Sequence, residues 1–189
     1  MALKSDRFLA EIKKYFETER GTFLHDVCVS DHFKKISGDS SGYAPWLSKL
    51  LGYATKQFNL TGRNVLDIGC GTGELTVWMN TLGYNASGID LHKKFIGLAK
   101  ILAAENGLPE NTFVQVNGAR IPFPDKSIDI VTLFSVLEHV SDEVLKNELI
   151  PELLRVCRGV ICVNVPNRLK PADDHTGLWF VPWMPRRLA

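Results

Sequence analysis

Beyond residue 60, apolar positions form short runs that alternate with segments of helical periodicity. Short apolar runs are typical of buried strands, and apolar residues three or four positions apart are typical of amphipathic helices. The predicted strands are 65–68, 86–89, 112–116, 128–134 and 160–165, and the predicted helices are 75–82, 95–104 and two segments between Ser141 and Gly159 that Pro151 divides. This alternation predicts an α/β fold with a doubly wound parallel sheet covered by helices on both faces.

The first 60 residues have the periodicity of helices instead. Two apolar helical faces are predicted, one formed by Phe8, Leu9, Ile12, Tyr15 and Phe16 and one by Leu47, Leu50, Leu51, Ala54 and Phe58. Pro45 suits the first turn of the second helix, and the Gly- and Ser-rich residues 37–42 predict a loop between the two. We therefore expect an N-terminal helical segment 1–60, a sheet domain 61–166 and a Pro- and Trp-rich tail 167–189.

Composition excludes several classes of protein. A net charge of +1 gives no field that would attract nucleic acid. The four cysteines include no C-x-x-C pair, so we expect neither a zinc site nor a disulfide framework. The charged N-terminal residues do not resemble a signal peptide, and no stretch approaches the roughly 18 apolar residues of a membrane span. These features predict a cytoplasmic protein without a membrane span.

The clearest motif is a glycine loop between the first strand and the next helix, Asp67-Ile68-Gly69-Cys70-Gly71-Thr72-Gly73. Glycines permit a tight turn and let N–H groups point at a ligand. Nicotinamide and flavin sites usually have a third glycine at the position occupied here by Glu74. The observed spacing suits a ligand with both a carboxylate and a positive charge. We expect the loop amides to bind the carboxylate, and Asp67 to lie near the cation.

With this loop the sequence resembles the class I S-adenosylmethionine-dependent methyltransferases, and among them the small-molecule methyltransferase domain family. The resemblance covers roughly residues 60–166. It continues through Gly88-Ile89-Asp90, Leu91, the stretch 120–125, the predicted strand from Ile128, and Ser135-Val136-Leu137-Glu138-His139-Val140. The implied fold is a Rossmann-like sheet with strand order 3-2-1-4-5, and the implied cofactor is S-adenosylmethionine, which becomes S-adenosylhomocysteine.

The resemblance also implies which residues bind the cofactor. Asp90 would accept hydrogen bonds from both ribose hydroxyls, and Leu91 would pack on the adenine. Asn117 stands where the family commonly has an Asp, and its amide oxygen can accept the same bond from the adenine amino group. The full set of expected cofactor-binding residues is Asp67, Gly69, Cys70, Gly71, Gly73, Asp90, Leu91, Asn117, Gly118, Ala119 and Phe134.

Two departures from the family pattern matter. Ubiquinone-pathway O-methyltransferases have a Glu three residues before the Glu-His pair and use a metal, whereas this chain has Ser135, so we expect no metal. The family has seven strands, but residues 166–189 do not resemble the last two. Either the chain is truncated or divergent, or the edge 160–163 is covered by tail residues 179–183 or by a second subunit in a homodimer, because proteins avoid open apolar edges.

His139, which follows the fourth strand, is the candidate general base, although a supporting role at a helix start is equally consistent with its position. Glu138 is a candidate to orient His139 or to bind the acceptor. Further candidates for acceptor contact are His25, His32, Tyr43, Trp46, Asn167, Arg168 and His175. Candidates for contact with a lipid headgroup or an apolar substrate are Trp179, Phe180, Trp183, Met184, Arg186 and Arg187. Residues of these types, each taken alone, are more often part of the core or surface than contacts to a substrate.

The function that the resemblance implies is methyl transfer by in-line displacement to a small-molecule acceptor, free or linked to a lipid or glycan. An alternative is a protein that binds S-adenosylmethionine without turnover, as part of an assembly. A nicotinamide-dependent oxidoreductase is disfavoured by Glu74 and by the lack of a Tyr-x-x-x-Lys pair. Whether the acceptor atom is O, N or C stays open.

Overall fold

A computed structural model describes residues 2–19, 32, 35–36 and 43–165. The helices are α1 (Asp6–Glu19), α2 (Tyr43–Gln57), α3 (Glu74–Thr81), α4 (Lys93–Glu105), α5 (Asp142–Val144) and α6 (Ile150–Val156). The strands are β1 (Asn64–Ile68), β2 (Asn85–Asp90), β3 (Phe113–Gln115), β4 (Ile128–Phe134) and β5 (Cys157–Asn164). Two 3-10 turns, Glu110–Thr112 and Leu137–His139, and a π-helical segment, Leu145–Leu149, complete the regular structure of these ranges.

The five strands form one parallel sheet in the order β3-β2-β1-β4-β5. This confirms the expected fold class and strand order. Six of the seven residues of β4 are buried, as a central strand covered on both faces requires. Its bounds are those predicted from the apolar run.

The sheet has an apolar core on each face, because neighbouring strand residues point in opposite directions. Val65 and Ile130 belong to one core and Leu66 and Val131 to the other. The first core also contains buried residues of the N-terminal helices, namely Phe8, Ile12, Phe16, Ala44, Leu47 and Leu51. The predicted apolar faces of α1 and α2 are therefore confirmed as core, apart from Leu50, which is half-buried and lines a surface cavity, and Phe58, which is 54% exposed.

Helix α1 is fixed to the end of α4 by hydrogen bonds. The carboxylate of Glu105 accepts from the backbone N–H groups of Arg7 and Phe8, at 2.8 and 3.0 Å. Asn106 exchanges two bonds with the backbone of Lys4, at 3.0 and 2.8 Å. A carboxylate at a helix N-terminus satisfies free donors and complements the helix dipole, so Glu105 caps α1.

The predicted boundary at Gly159 is wrong, because α6 ends at Val156 and β5 already begins at Cys157. Arg158 Nε donates to the Asp129 carboxylate at 2.8 Å across an irregular pairing of β4 with β5. A Cβ on Gly159 would lie 2.2 Å from the Asp129 carbonyl oxygen, so this glycine allows close strand approach and does not end a helix.

The predicted cap at Ser141 is confirmed, whereas the predicted break at Pro151 is wrong, because the helical backbone continues from α5 through the π-helical segment into α6. Ser141 Oγ accepts from the N–H of Val144 at 3.3 Å and caps α5, and Pro151 lies in the first turn of α6. Within the described ranges, every helix is too short or too polar to cross a bilayer. His25, the predicted loop 37–42 and the tail 166–189, with all the candidates in it, lie outside the described residues.

Candidate functional site

The glycine loop joins β1 to α3 at the carboxyl edge of the sheet, where ligands of open α/β folds bind. Gly69, Gly71 and Gly73 have φ values of 68°, 54° and 90°, all in the region that favours glycine. A Cβ on Gly73 would also lie 2.7 Å from Phe113 Cζ and 2.8 Å from Ala99 Cβ. The loop therefore requires glycine at position 73 both for its backbone conformation and for its packing on α4 and β3.

Four of the loop's amides donate hydrogen bonds within the protein. The bonds run from Gly69 and Cys70 to the Ile89 carbonyl (2.9 and 3.1 Å), from Gly71 to the Asp90 carboxylate (2.9 Å) and from Gly73 to the Cys70 carbonyl (3.0 Å). These four amides therefore already have acceptors within the protein, three of them at the end of β2, and the expected contact of the loop with a ligand carboxylate stays a prediction. The role of the loop is to hold Asp90 in place.

Asp90 ends β2 beside the loop, half-buried. Its Oδ2 accepts from Gly71 N–H at 2.9 Å and its Oδ1 from His92 N–H at 2.7 Å. Each carboxylate oxygen has a second lone pair, so both can still accept a hydroxyl. The neighbouring Leu91 side chain is 62% exposed. A fixed carboxylate beside an exposed apolar side chain fits a ribose diol that carries a flat base.

Asp67 lies beneath the loop and is only 3% exposed. Its two oxygens accept hydrogen bonds from Thr76 Oγ1 and Thr132 Oγ1, at 2.7 and 2.8 Å, which ties β1 to α3 and β4. Burial raises the pKa of Asp67 to about 6, against the opposing hydrogen bonds from the threonines. At neutral pH the carboxylate is mostly ionised, so it presents a buried negative charge below the loop.

A second buried carboxylate, Glu74, begins α3 and was considered from the sequence only as the residue that replaces a third glycine. Glu74 is 3% exposed, accepts from Thr72 Oγ1 at 2.7 Å and pairs with His32 Nδ1. Burial raises its pKa, but the charge and hydrogen bond of His32, the charge of Lys35 and the hydrogen bond from Thr72 together outweigh burial and hold the pKa at about 2. His32, a candidate for acceptor contact, is thus engaged by the loop region instead.

The segment after β3 lies next to Asp90, because Val116 N–H donates to the Asp90 carbonyl at 3.0 Å. Asn117 and Gly118 follow and are exposed, and Ala119 packs against the second core. The structure thus brings this segment and Asp90 to the same edge of the sheet. Their predicted contacts with adenine stay a prediction.

The end of β4 forms the other side of the site. Phe134 is half-buried and its ring meets Trp46 of α2 edge-on, with centroids 5.2 Å apart. Ser135 follows with φ of 56° and donates its N–H to the Asn164 carbonyl at 2.9 Å. His139 is exposed in the 3-10 turn Leu137–His139, and its catalytic role stays a prediction. Among the described residues, no three His, Cys, Asp or Glu side chains cluster as metal ligands would.

An apolar cavity of about 290 Å³, here termed the α2–β5 groove, extends from this point between α2 and β5. Its walls include Trp46, Tyr53, Phe58, Phe134, Val160 and Val163. Tyr53 is 65% and Val163 50% exposed. The groove thus offers apolar surface next to the carboxyl end of β4.

Comparison with known proteins gives matches in sequence and in structure. Residues 66–160 match the family model described as "Methyltransferase domain". A ubiquinone biosynthesis O-methyltransferase of Paraburkholderia phymatum is 41% identical over 87 residues, which are 44% of this chain and 36% of that protein. The corresponding protein of Cupriavidus pinatubonensis is 39% identical over 95 residues, 49% of this chain and 37% of the relative. The matches therefore span less than two fifths of these relatives' length.

Among solved structures, a SAM-dependent methyltransferase from Aquifex aeolicus matches with a TM-score of 0.55 over 70% of each chain. Its sequence is 22% identical, so the likeness is one of fold. The [4+2]-cyclase SpnF matches with a TM-score of 0.53 and 26% identity, over 70% of this chain and 50% of its own. The same fold therefore occurs in a protein named for a different reaction. Fold alone does not determine the reaction, which depends on the residues of the site.

Proposed function

The chain belongs to the methyltransferase domain family, and from that premise we propose that it is an S-adenosylmethionine-dependent methyltransferase. The observation that carries the proposal is Asp90, which Gly71 and His92 hold at the end of β2 with room for two more hydrogen bonds. That arrangement suits the two ribose hydroxyls of the cofactor. The exposed Leu91 side chain would cover one face of the adenine, and the amide oxygen of Asn117 would accept a hydrogen bond from the adenine amino group.

The buried charge of Asp67 supports a cationic ligand. Because desolvation disfavours the ionised carboxylate, a positive charge bound above the loop would stabilise it. Asp67 would act through its field, because both of its oxygens already bind threonine hydroxyls. Asp67 is therefore proposed to favour S-adenosylmethionine over its neutral-sulfur product.

When bound, the cofactor supplies a methyl group that is already activated for transfer. The protein's task is to align the acceptor with it, and alignment of this kind contributes about 7–11 kcal/mol to a bimolecular reaction. Trp46 is proposed to hold a small-molecule acceptor at the end of β4, with Phe134, which is also expected to contact the cofactor, between the two ligands, and His139 is proposed to accept a proton from the acceptor. The names of the relatives favour a hydroxyl as the acceptor group.

Three further sequence expectations become part of this proposal. Residues 1–60 would form the acceptor side of the site, and α2 supports this by placing Trp46 on Phe134. The β5 edge would be covered by the tail or by a second copy of the chain. A cytoplasmic location would follow from the composition alone.

Calorimetric titration with S-adenosylmethionine, S-adenosylhomocysteine and NADH tests the cofactor proposal. We expect micromolar binding of both sulfur ligands and none of NADH, with binding abolished in Asp90→Ala. Leu91→Asp should also weaken binding without affecting folding, because Leu91 is largely exposed. Glu110→Ala is the matched control, since this exposed carboxylate pairs with Lys100 and lies outside the site.

Failure of the wild-type chain to bind either sulfur ligand would contradict the proposal. NADH binding that Asp90→Ala abolishes would favour the oxidoreductase alternative. Binding without methyl transfer to any of a panel of phenolic and amine acceptors would favour the alternative of a cofactor-binding protein without turnover.

A further inference from the structure

Three buried polar side chains meet at the start of α3, and none of them has a part in the proposed cofactor contacts. Glu74, Thr72 and His32 are 3%, 6% and 8% exposed. Thr72 Oγ1 donates to Glu74 Oε2 at 2.7 Å, and His32 Nδ1 pairs with Glu74 Oε1. A buried carboxylate is tolerated only when its partners compensate for lost hydration, so this trio depends on all of its members.

The trio connects two parts of the chain that are far apart in sequence. Thr72 lies within the glycine loop, next to Gly71, whose amide binds Asp90. The ring of His32 packs between Phe8 and Phe16 of α1, at centroid distances of 6.2 and 5.8 Å. Contacts therefore run without a break from α1 through His32 and Glu74 to the loop.

A second tie joins the same two parts. Trp78 Nε1, on α3, donates to the Lys35 carbonyl at 2.7 Å. The neighbouring Ile36 is buried, and its carbonyl accepts from Leu3 N–H at 3.2 Å. Residues 35–36 would therefore keep α3 attached to the N-terminal part of the chain even without His32, so the contribution of His32 to the loop can be separated from packing.

We propose that His32 and Glu74 are positioning residues for the glycine loop: His32 docks on Glu74, and Glu74 orients Thr72 so that the loop holds Asp90 for the ribose. The inference rests on the proposed function, because it assigns the N-terminal segment a role at the cofactor site. Without His32, the Glu74 carboxylate needs a hydrogen bond from water or from another donor. Either replacement would shift Thr72 and loosen the turn of the glycine loop. A cofactor would then bind less tightly.

Hydrogen exchange and S-adenosylhomocysteine titration of three variants test this inference. His32→Leu removes the donor, whereas His32→Asn keeps an N–H donor close to the position of Nδ1. Ile36→Val is the matched control, which reduces packing in the same segment but leaves the trio intact. Exchange is measured by mass spectrometry on peptides that cover residues 69–76 of the ligand-free protein.

We expect His32→Leu to speed exchange in these peptides about fivefold and to weaken S-adenosylhomocysteine binding about tenfold, the loss of one charge-assisted hydrogen bond. His32→Asn should restore both to within about twofold of wild type, and Ile36→Val should change neither. If His32→Leu does not fold, Thr72→Val gives the same test, because it removes the hydroxyl and keeps the side-chain volume.

Unchanged loop exchange in His32→Leu and Thr72→Val would overturn the inference, even if melting temperatures fall, because the trio would then stabilise the fold without positioning the loop. Equal effects of His32→Asn and His32→Leu would overturn it as well. If the wild-type chain binds no S-adenosylhomocysteine, the proposed function fails, but the exchange measurement still decides whether His32 orders the loop.

Discussion

The two flanks of the central strands β1 and β4 are built by different means. On the β2 flank, formed by the glycine loop, β2, α3 and α4, the buried carboxylates of Asp67 and Glu74 accept from threonine hydroxyls, and the half-buried carboxylate of Asp90 accepts from a loop amide. On the β5 flank, formed by α2 and β5, the α2–β5 groove is lined largely by apolar side chains, among them Tyr53 and Val163. Polar ligands need donors and acceptors fixed in advance, whereas apolar ligands need mainly shape. We therefore propose that the cofactor binds on the first flank and the acceptor on the second.

Even within the β2 flank, two buried carboxylates behave in opposite ways. The pKa of Asp67 is raised to about 6 because burial outweighs its two threonine hydrogen bonds. The pKa of Glu74 is lowered to about 2 because, despite burial, its carboxylate faces the charges of His32 and Lys35 and accepts hydrogen bonds from His32 and Thr72. A buried carboxylate without a cation destabilises the fold at neutral pH, so Asp67 is the residue where a cationic ligand has most to gain.

The strongest way to break the β2 flank is to add a methyl group to its loop. Gly73→Ala forces φ of 90° on a residue with a Cβ and drives that Cβ into Phe113 and Ala99. We expect a loss of about 3 kcal/mol or more in the free energy of unfolding, measured by urea denaturation.

Gly71→Ala is the control, because its φ is also positive but a Cβ there meets no atom within 4 Å. It should cost about 1 kcal/mol. Equal losses in the two variants would show that backbone conformation alone, and not packing, makes the loop depend on glycine.

Asp67→Asn removes the uncompensated charge. The folded pKa of Asp67, about 6, lies above its ordinary value of 3.8, so the folded state holds the proton more tightly and ionisation lowers stability as pH rises from about 4 to 6. We expect the unfolding free energy of the variant, relative to wild type, to rise by about 2–3 kcal/mol between pH 4 and pH 8. A difference that is independent of pH would contradict this assignment.

The Glu105 cap at the N-terminus of α1 is expected to contribute less to stability than the glycine loop does. Glu105→Ala leaves the N–H groups of Arg7 and Phe8 without their acceptor. We expect a loss of about 1–2 kcal/mol in thermal or chemical denaturation. Glu105→Gln, which keeps one acceptor oxygen but no charge, should recover part of it. No loss in either variant would mean that the Glu105 cap does not contribute to holding α1 in place.

The smallest effect is expected on the β5 flank. Tyr53→Ser replaces a side chain that is 65% exposed and should change the free energy of unfolding by less than about 0.5 kcal/mol. A matched buried neighbour, Leu51→Ala, should cost about 2–5 kcal/mol. A loss above about 1.5 kcal/mol in Tyr53→Ser would show that this face is covered in solution, by the tail or by a second copy of the chain.

The sheet was predictable because its strands are continuous apolar runs. β4 has its predicted bounds. Each end of β1, β2 and β3 lies within one residue of its predicted position. The error at β5 arose because Gly159 was interpreted as the end of a helix. Its actual role, close approach to the Asp129 carbonyl, depends on a strand pairing that local sequence does not specify.

The site was predictable only in part. The glycine loop and Asp90 lie at the same edge as expected, but the bonds from Gly69, Cys70 and Gly71 to the end of β2 were not predicted. The pair of Glu74 with His32 spans 42 residues, and the bond of Arg7 to Glu105 spans 98. Such long-range contacts leave no local pattern. A carboxylate directly after the last loop glycine was the one available signal, since the start of a helix attracts negative charge.

We propose that the cofactor binds on the β2 flank and leaves the β5 flank free for the acceptor. Titration of the ¹⁵N-labelled chain with S-adenosylhomocysteine, followed by ¹H–¹⁵N chemical shifts, tests it most directly. We predict that the largest shifts fall in residues 69–73, 90–92 and 116–119, with little change at Tyr53 and Val163. Shifts concentrated in the α2–β5 groove, or no shifts at saturating ligand, would overturn the placement of the cofactor on the β2 flank.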